Sequence, residues 1–418
     1  MQIGYACLAI GVENSSFKSC TLKHATPERL TEIISSNLNA LEALLSYNKE
    51  CGIHLFRISS DVVPFGSHPA IAFDWRTPFQ ERLLSLGEMA RSADIRLSMH
   101  PGQYTVLNSP DSSVVERAIE DLRYHCHVLD LLHADGSAKI ILHVGGAYSD
   151  KPAAIRRFAN NYRSLDDSIR RRLVLENDDR IFTIEEVLDL GISLRCPVVF
   201  DNLHNEVNPS STDMSEAAWI SACCQTWQQQ DGTPKTHYSQ QAVDKRPGSH
   251  SRTIEADAFL SYRDNLHDDV DIMLEVKDKN LSAVKCILCS DPQGKIGSLE
   301  KEWARYKYLV LEHSPQAYSS IRSLLKTKTA YPSLAFYRHI DAALAQTPAI
   351  GTRVNAAQHV WGYFSTKASE KERVRFDNLM EKYIEGTGSI NAVKRHLFKL
   401  ANQYGETYLI QSYYFFVD

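Results

Sequence analysis

Through the first two-thirds of the chain, short apolar runs alternate with longer stretches in which apolar residues recur every three or four positions. The runs are Ile3-Gly-Tyr5-Ala-Cys7, Leu55-Phe-Arg57-Ile-Ser59, Ile95-Arg-Leu-Ser-Met99-His100, Ile140-Ile-Leu-His143, Leu173-Val-Leu-Glu176, Val198-Val-Phe-Asp201, the segment around Lys235-Thr-His237, and Ile272-Met-Leu-Glu275. Between the first two, Pro27 to Tyr47 carries apolar residues at 30, 33, 34, 38, 41, 44 and 45, one face of a helix, and Ala25-Thr26-Pro27 supplies a cap and a first-turn proline. Pro78 to Ser92, Val114 to His133, Lys151 to Ser168 and Thr183 to Leu190 repeat that periodicity. Strand and helix in alternation predict a parallel sheet, and eight strands predict an α/β fold closed as a TIM (β/α)8 barrel. No glycine-rich fingerprint follows the first strand, so a dinucleotide-binding sheet has no support.

After Gly297 the pattern changes. Helical periodicity takes over in Leu299 to Leu311, Ser314 to Leu325, Ser333 to Ala345, Val354 to Phe364, Lys371 to Glu385 and Ile390 to Tyr404. The expected organisation is a barrel domain over residues 1–300, a barrel end or linker over 301–329, and a C-terminal α-helical domain over 330–418. Lys394, Arg395, His396 and Lys399 are expected to form one basic, solvated face of a helix. At 418 residues the chain has room for one barrel of about 250 residues and an appendage.

Composition narrows the setting. No run approaches the roughly 20 apolar residues that cross a bilayer, and the N-terminus lacks the pattern of a secretory signal, so no membrane association and a cytoplasmic location are expected. Nine scattered cysteines predict reduced thiols; Cys286-Ile-Leu-Cys289 has redox or zinc spacing but no second pair, and reads as part of a helix core. A net charge of −5 argues mildly against nonspecific nucleic-acid binding. A local patch drawn from Arg57, Lys245-Arg246, Arg252, Lys277 and Lys279 could still attract a polyanion.

The ends of the strands carry the chemistry. In a barrel they meet at one mouth, and here they bring His100, His143, Glu176, Asp201, His237 and Glu275, with His204 and His250 just beyond. Nitrogen and oxygen donors without cysteine suit Zn, Mn or Fe in an open catalytic site better than a closed structural zinc. Eight ligands exceed one ion's needs, and closely spaced ions are the usual means of splitting phosphodiesters. His54, His125, His127, His133 and His267, in helices or at strand beginnings, are expected to be ordinary histidines. The loop Met99-His100-Pro-Gly-Gln103-Tyr104 either packs a tyrosine on the barrel rim or presents a wedge that stacks where bases have been displaced.

These residues resemble the UV damage endonucleases, relatives of endonuclease IV and the xylose isomerases. The resemblance rests on Ile3-Gly-Tyr5, Phe56-Arg57-Ile-Ser-Ser60, Pro64-Phe-Gly-Ser-His68, His100-Pro-Gly-Gln-Tyr104, Leu142-His143-Val-Gly-Gly146, Leu175-Glu176-Asn-Asp178, Phe200-Asp201-Asn-Leu-His204, Lys235-Thr-His237-Tyr-Ser239, Gly248-Ser-His250 and Leu274-Glu275-Val-Lys277-Asp-Lys279. It covers about residues 1–300. It implies a manganese-type site of three divalent ions, with zinc or another divalent metal as alternatives, held by His100, His143, Glu176, Asp201, His204, His237, His250 and Glu275. It further implies a carboxylated Lys235 as an extra ligand, catalytic roles for Glu176, Lys235 and His68, and lesion recognition by Gln103, Tyr104 and Tyr5. The implied activity is a nick immediately 5′ of cyclobutane dimers, 6-4 photoproducts and abasic sites in double-stranded DNA, leaving a 3′-hydroxyl. Arg57, Arg252, Lys277 and Lys279 are the expected DNA contacts, and a monomer is the expected assembly.

Two readings from other classes use the same residues: a sugar isomerase or epimerase on this barrel, and a noncatalytic damaged-DNA-binding protein. The last ninety residues, with Tyr337-Arg338-His339, Val354 to Phe364, Asn391 to Lys399 and Tyr408 to Phe416, resemble an uncharacterised helical domain that also occurs beside desulfidase-type domains. A stabilising bundle and a DNA- or partner-binding module both remain open for it.

Overall fold

Each of the eight apolar runs forms a strand in the computed structural model, which describes residues 1–71, 73–266 and 269–417. They are β1 (Ile3–Ala6), β2 (Leu55–Ile58), β3 (Arg96–Met99), β4 (Lys139–His143), β5 (Leu173–Glu176), β6 (Val198–Asp201), β7 (Lys235–Tyr238) and β8 (Asp271–Leu274). Every neighbouring pair is parallel, and β8 returns to β1, so the sheet closes as a TIM barrel. His267 lies outside the described residues. Among the described residues no helix is long and apolar enough to cross a membrane, and none of the nine cysteines is in a disulfide.

The helices follow local chemistry. Thr26 caps the helix Pro27–Cys51 by accepting from the Arg29 N–H, and Gly52, at φ 68°, ends it in the left-handed conformation that glycine adopts without strain. Thr183 and Glu186 form a reciprocal capping box that starts the helix Ile184–Leu194. The stretch expected as one helix from Lys151 to Ser168 breaks at Leu165, whose extended backbone separates Lys151–Ser164 from a short turn of helix at Asp167–Arg170.

Register decides which side chains fill the barrel. Paired residues of neighbouring parallel strands point the same way, so the pairs His143↔Glu176, Asp201↔His237 and Lys235↔Asp271 share the inner face. The interior is layered. At the base, Arg96 donates to Asp271 Oδ2 at 3.0 Å and to the Ser137, Asp231 and Thr233 carbonyls, while its guanidinium lies 5.6 Å from the Trp227 ring centre. Lys139 pairs with Asp231 and donates to the Arg171 carbonyl at 2.7 Å. Above this charged base Ile141, Val174 and Val199 make an apolar layer with Trp227. The polar strand ends lie above that layer, at the mouth.

Contacts divide the chain into two units, Met1–Ala9 with Asn14–Val284, and Ile10–Glu13 with Lys285–Asp418. The helices Ile296–His313 and Pro315–Leu324 therefore fall in the second unit, where the segment 301–329 had been expected to end the barrel or link it. Tyr308 and Leu311 of the first of these helices join a core with Ala356, Ala357, Val360, Phe376, Leu397 and Tyr414, so its apolar face is committed there. The expected basic face of the helix Ile390–Gln403 is also corrected. Lys394 and His396 are buried, Lys394 pairing with Glu312 at 2.6 Å, while Arg395 and Lys399 are exposed on other faces.

The base of the barrel gives a stability test. Asp231→Asn removes the partner of a buried ammonium, and breaking one side of such a pair costs about 3–5 kcal/mol. Urea denaturation should show that loss in the midpoint; a change below about 1 kcal/mol, the worth of an exposed pair, would contradict the buried pairing.

Candidate metal centre

Glu176 ends β5 fully buried, and its environment makes that possible. Its Oε2 lies 3.1 Å from His100 Nε2 and 3.3 Å from His143 Nε2, and its Oε1 lies 2.6 Å from His237 Nδ1. Burial opposes its ionisation, but the charges of His237 and His143 and the hydrogen bond to His100 hold it well below the usual carboxylate range. Glu275, just past β8, reaches the same imidazole, with Oε1 3.3 Å from His237 Nδ1 and Oε2 3.7 Å from His250 Nε2. Burial opposes ionisation there too, and Arg57 and His237 overcome it.

Asp201 is built differently. One oxygen, Oδ1, accepts from the His204 backbone N–H at 2.8 Å and caps the short helix Asn202–Val207, while the other, Oδ2, is buried without a partner. Burial raises its pKa, with Glu176 and Glu275 adding to the rise against His204. His204 shows the converse. Burial pulls it down, but Asp201, Glu176 and Glu275 raise it to about 9.

Two sets of donor atoms lie within 4.8 Å of one another: His100, His143 and Glu176, and Glu176 with Asp201, His237 and Glu275. Glu176 belongs to both. Asp201 Oδ2, His237 Nε2 and His143 Nδ1 are buried with no hydrogen-bond partner, a cost that a coordinated cation would remove. Imidazole and carboxylate donors without thiolate fit a divalent ion of the Mn, Zn or Fe kind.

Asparagines brace these ligands. Asn177 donates to the Asp201 carbonyl at 3.0 Å and accepts from the Asp201 N–H at 2.8 Å, while its own carbonyl accepts from His204 Nδ1 at 2.9 Å. Asn202 exchanges the same pair of bonds with the Ser239 backbone at the end of β7. Neither was singled out in the sequence. The available signal was the recurrence of an acid followed by asparagine at the ends of β5 and β6, Glu176-Asn177 and Asp201-Asn202.

The ligand face opens into a cleft of about 1190 Å³, whose lining includes His68, His100, His143, Gln103, Tyr104 and Arg246. Gln103 and Tyr104 occupy the tip of a turn closed by Thr105 N–H to the Gly102 carbonyl at 3.0 Å. Thr105 Oγ1 and Ser67 Oγ both donate to the Asp121 carboxylate, tying this turn to the loop after β2. Tyr104 is 82% exposed, which excludes the rim-packed alternative. Gly145, at φ +109°, lets the loop after β4 pass Asn108, where an added Cβ would lie 2.4 Å from Oδ1.

The remaining expected residues sort by burial. His68 lines the cleft, its Nδ1 accepting from the Ala70 N–H at 3.2 Å, and forms no pair with the carboxylate cluster. Lys235 lies on the inner face two residues before His237, with Nζ buried and unpartnered. Burial and then the Arg96 charge lower its pKa well below that of a free lysine, against Asp271. Arg252 and Lys277 are exposed and Lys279 half-buried; their loops are joined by Lys277 N–H to the Ser251 carbonyl and Asp278 N–H to the Arg252 carbonyl.

Two expectations are corrected. Tyr5 does not face the mouth: it is fully buried, points outward from β1 into the helix layer and donates to Asn48 Oδ1 at 2.9 Å. Arg57 points inward but is spent on Glu275, 2.7 Å away, and holds that carboxylate ionised instead of meeting a phosphate. Among the histidines expected to be ordinary, His125 is buried in the Ser60 and Asp121 hydrogen bonds, and His54 bonds the Ala93 carbonyl.

The raised His204 pKa has a pH signature. Its ion-pair stabilisation is fully present below the unfolded value of 6.5 and is lost as pH rises through about 9. The chelated protein should therefore show a melting temperature that falls across this window, and His204→Asn should flatten that slope; an unchanged slope in the variant would refute the assignment.

Comparison with known proteins returns one family over the barrel. The model of UV-endonuclease UvdE matches residues 1–301, and the model described as Protein of unknown function (DUF1722) matches residues 307–417. A UV DNA damage endonuclease of Clostridium perfringens (strain 13 / Type A) is 36% identical over 387 residues, covering 91% of this chain and 92% of that protein. Another, of Bacillus velezensis, is 33% identical over 264 residues, covering 62% of this chain and 82% of that protein. The crystal structure of SacUVDE aligns with a TM-score of 0.65 at 36% identity, over 69% of this chain and 96% of that one.

Proposed function

The chain belongs to the UV-endonuclease UvdE family, UV-damage repair endonucleases that cut phosphodiester bonds, and on that premise we propose that it nicks the damaged strand of duplex DNA immediately 5′ of the lesion, leaving a 3′-hydroxyl. The proposed lesions are cyclobutane dimers, 6-4 photoproducts and abasic sites. The observation that carries this reading is the buried, doubly shared carboxylate of Glu176, held by His100 and His143, which line the same cleft as the exposed Tyr104. A sugar-binding site encloses its ligand, whereas an aromatic tip that is 82% exposed suits a macromolecule that arrives from outside.

The divalent ions, three in this reading with Mn²⁺ as the metal, would be held by His100, His143, Glu176, Asp201, His204, His237, His250 and Glu275. When bound they supply Lewis acidity, a water activated at neutral pH and stabilisation of the leaving oxygen. The protein's own groups do the rest. Glu176 provides both carboxylate oxygens to neighbouring donor sets. Asn177 and Asn202 keep Asp201 and the end of β7 in register, and Arg57 keeps Glu275 anionic. His68 accepts a backbone N–H at Nδ1, which leaves Nε2–H to donate a hydrogen bond to a phosphate oxygen beside the cut. Lys235 is the site of carboxylation: a neutral, unpartnered amine adds to CO₂, loses its proton and becomes an anionic carbamate able to act as a ligand.

Gln103 and Tyr104 enter the duplex where stacking is weakest. A dimer or abasic site costs less to unstack than a normal pair, so one probe tolerates chemically different lesions. Arg252, Lys277 and Lys279 contact the DNA backbone. Action as a monomer is part of this reading.

A 5′-labelled duplex with one defined photodimer, incubated with Mn²⁺ or EDTA, tests the reading. Metal-dependent cleavage just 5′ of the dimer is expected; intact strands with well-folded, metal-loaded protein would sink it, and aldose-to-ketose turnover would point to the isomerase class instead. Glu176→Gln should cut nicking by at least about 100-fold, since even partners of metal ligands are worth 10–100-fold, while DNA binding persists. Gln103→Ala with Tyr104→Ala should mainly reduce the preference for damaged over undamaged duplex, by about tenfold if one stacked base is lost.

A further inference from the structure

The chain between the candidate ligands His237 and His250 turns back on itself as a hairpin that the reading above does not use. Gln241 and His250 form an antiparallel bridge, Ala242 N–H donates to the Ser249 carbonyl at 2.7 Å, and Ser251 N–H to the Gln240 carbonyl at 2.8 Å. The Gln241 side chain fills the loop. Its Nε2 donates to the Ala242 and Arg246 carbonyls at 3.0 and 3.1 Å, and its Oε1 accepts from the Gly248 N–H at 2.8 Å. The tip is thus braced from within.

What the braced tip offers is an exposed valine, then Asp244, then two adjacent cations. Val243 is 84% exposed and Tyr104 82%, and among the described residues no other large apolar side chain exceeds 61%. Lys245 and Arg246 follow on the same tip, both exposed, and no acidic side chain among the described residues pairs with either. A single exposed valine is ordinary on a protein surface. Its placement here is not. In the closed eight-strand ring β7 stands opposite β3, so the hairpin and the Gln103–Tyr104 turn rise from opposite sides of the mouth. Arg246 nonetheless lines the same cleft as Gln103 and Tyr104.

We infer that the Gln241–His250 hairpin is a second DNA-contacting element, facing the Gln103–Tyr104 turn across the cleft, with Val243 seated in a groove of the duplex and Lys245 and Arg246 on flanking phosphates. This rests on the nuclease reading for the identity of the polyanion. An apolar side chain followed by two cations matches the chemistry of a groove, where sugars and base edges are bordered by phosphates, and the intervening Asp244 leaves the tip one net positive charge. The internal hydrogen bonds of the hairpin mean that little ordering entropy is lost when the tip engages.

Binding of the full chain to a photodimer duplex and to the same damaged strand alone tests this, in a Glu176→Gln background so that no strand is cut. Lys245→Ala with Arg246→Ala should flatten the plot of log K against log salt by roughly 1.8, at about 0.9 per phosphate contact. Val243→Ser should weaken duplex binding about tenfold and leave single-strand binding unchanged, with Val243→Ile restoring the duplex affinity. Metal content per chain, measured in parallel, should match the parent, because His250 closes the hairpin's base. An unchanged salt slope, or a Val243→Ser duplex affinity equal to the parent's, overturns the inference. Absence of nicking by the wild-type chain overturns the nuclease reading alone, since the binding measurements judge the hairpin independently.

Discussion

A carboxylate with no solvent must find its compensation inside the protein, and the site is organised around meeting that requirement for Glu176. Its two oxygens are met by imidazoles from the ends of β3, β4 and β7, so three strands are fixed relative to β5 by one charge. Glu275 repeats the arrangement with Arg57 and His237. Asp201 does not: one of its oxygens is consumed in starting a helix, the other is left bare, and its pKa moves upward where its neighbours' move down. That asymmetry distinguishes the cluster from a set of ion pairs that is balanced within itself. The unpartnered atoms, Asp201 Oδ2, His143 Nδ1 and His237 Nε2, belong to groups that bind cations.

Around this cluster, backbone, amide and carboxylate hydrogen bonds tie the loops to one another. Asn177 and Asn202 join the ends of β5, β6 and β7, Asp121 joins the loops after β2 and β3, and the loops after β7 and β8 share two backbone bonds. A mouth built this way keeps its ligands in place while leaving the tips, Tyr104 and Val243, free of packing. Rigid support under exposed tips is what a probe of another molecule's shape requires.

Much of this was legible in the sequence because a barrel strand is short and its inward face alternates. The eight runs located all eight strands, and the polar residue ending each run marked the mouth. The errors came from parity and partnership. Tyr5 is flanked by Gly4 and Ala6, and it is those small residues that turn inward, leaving the tyrosine to the helix layer. Arg57 was placed on the correct face, but no spacing rule states that a glutamate 218 positions later will claim it. Lys394 and His396 looked like a solvated stripe because the sequence does not display Glu312 as a buried partner. The charged base escaped notice for the same reason: Arg96, Lys139 and Asp271 begin strands, where a charge ordinarily faces solvent.

That base has a consequence for traffic. Arg96, Lys139 and Asp231, with Trp227 against them, occupy the end of the barrel away from the ligands, and the Ile141, Val174 and Val199 layer lies over them. These side chains fill the interior beneath the ligands. Water and ions bound for the ligands come in through the mouth, the side a substrate takes, so a duplex lying across it would act as a stopper as well as a ligand, and what is inside at the moment of closure is what the site has to work with.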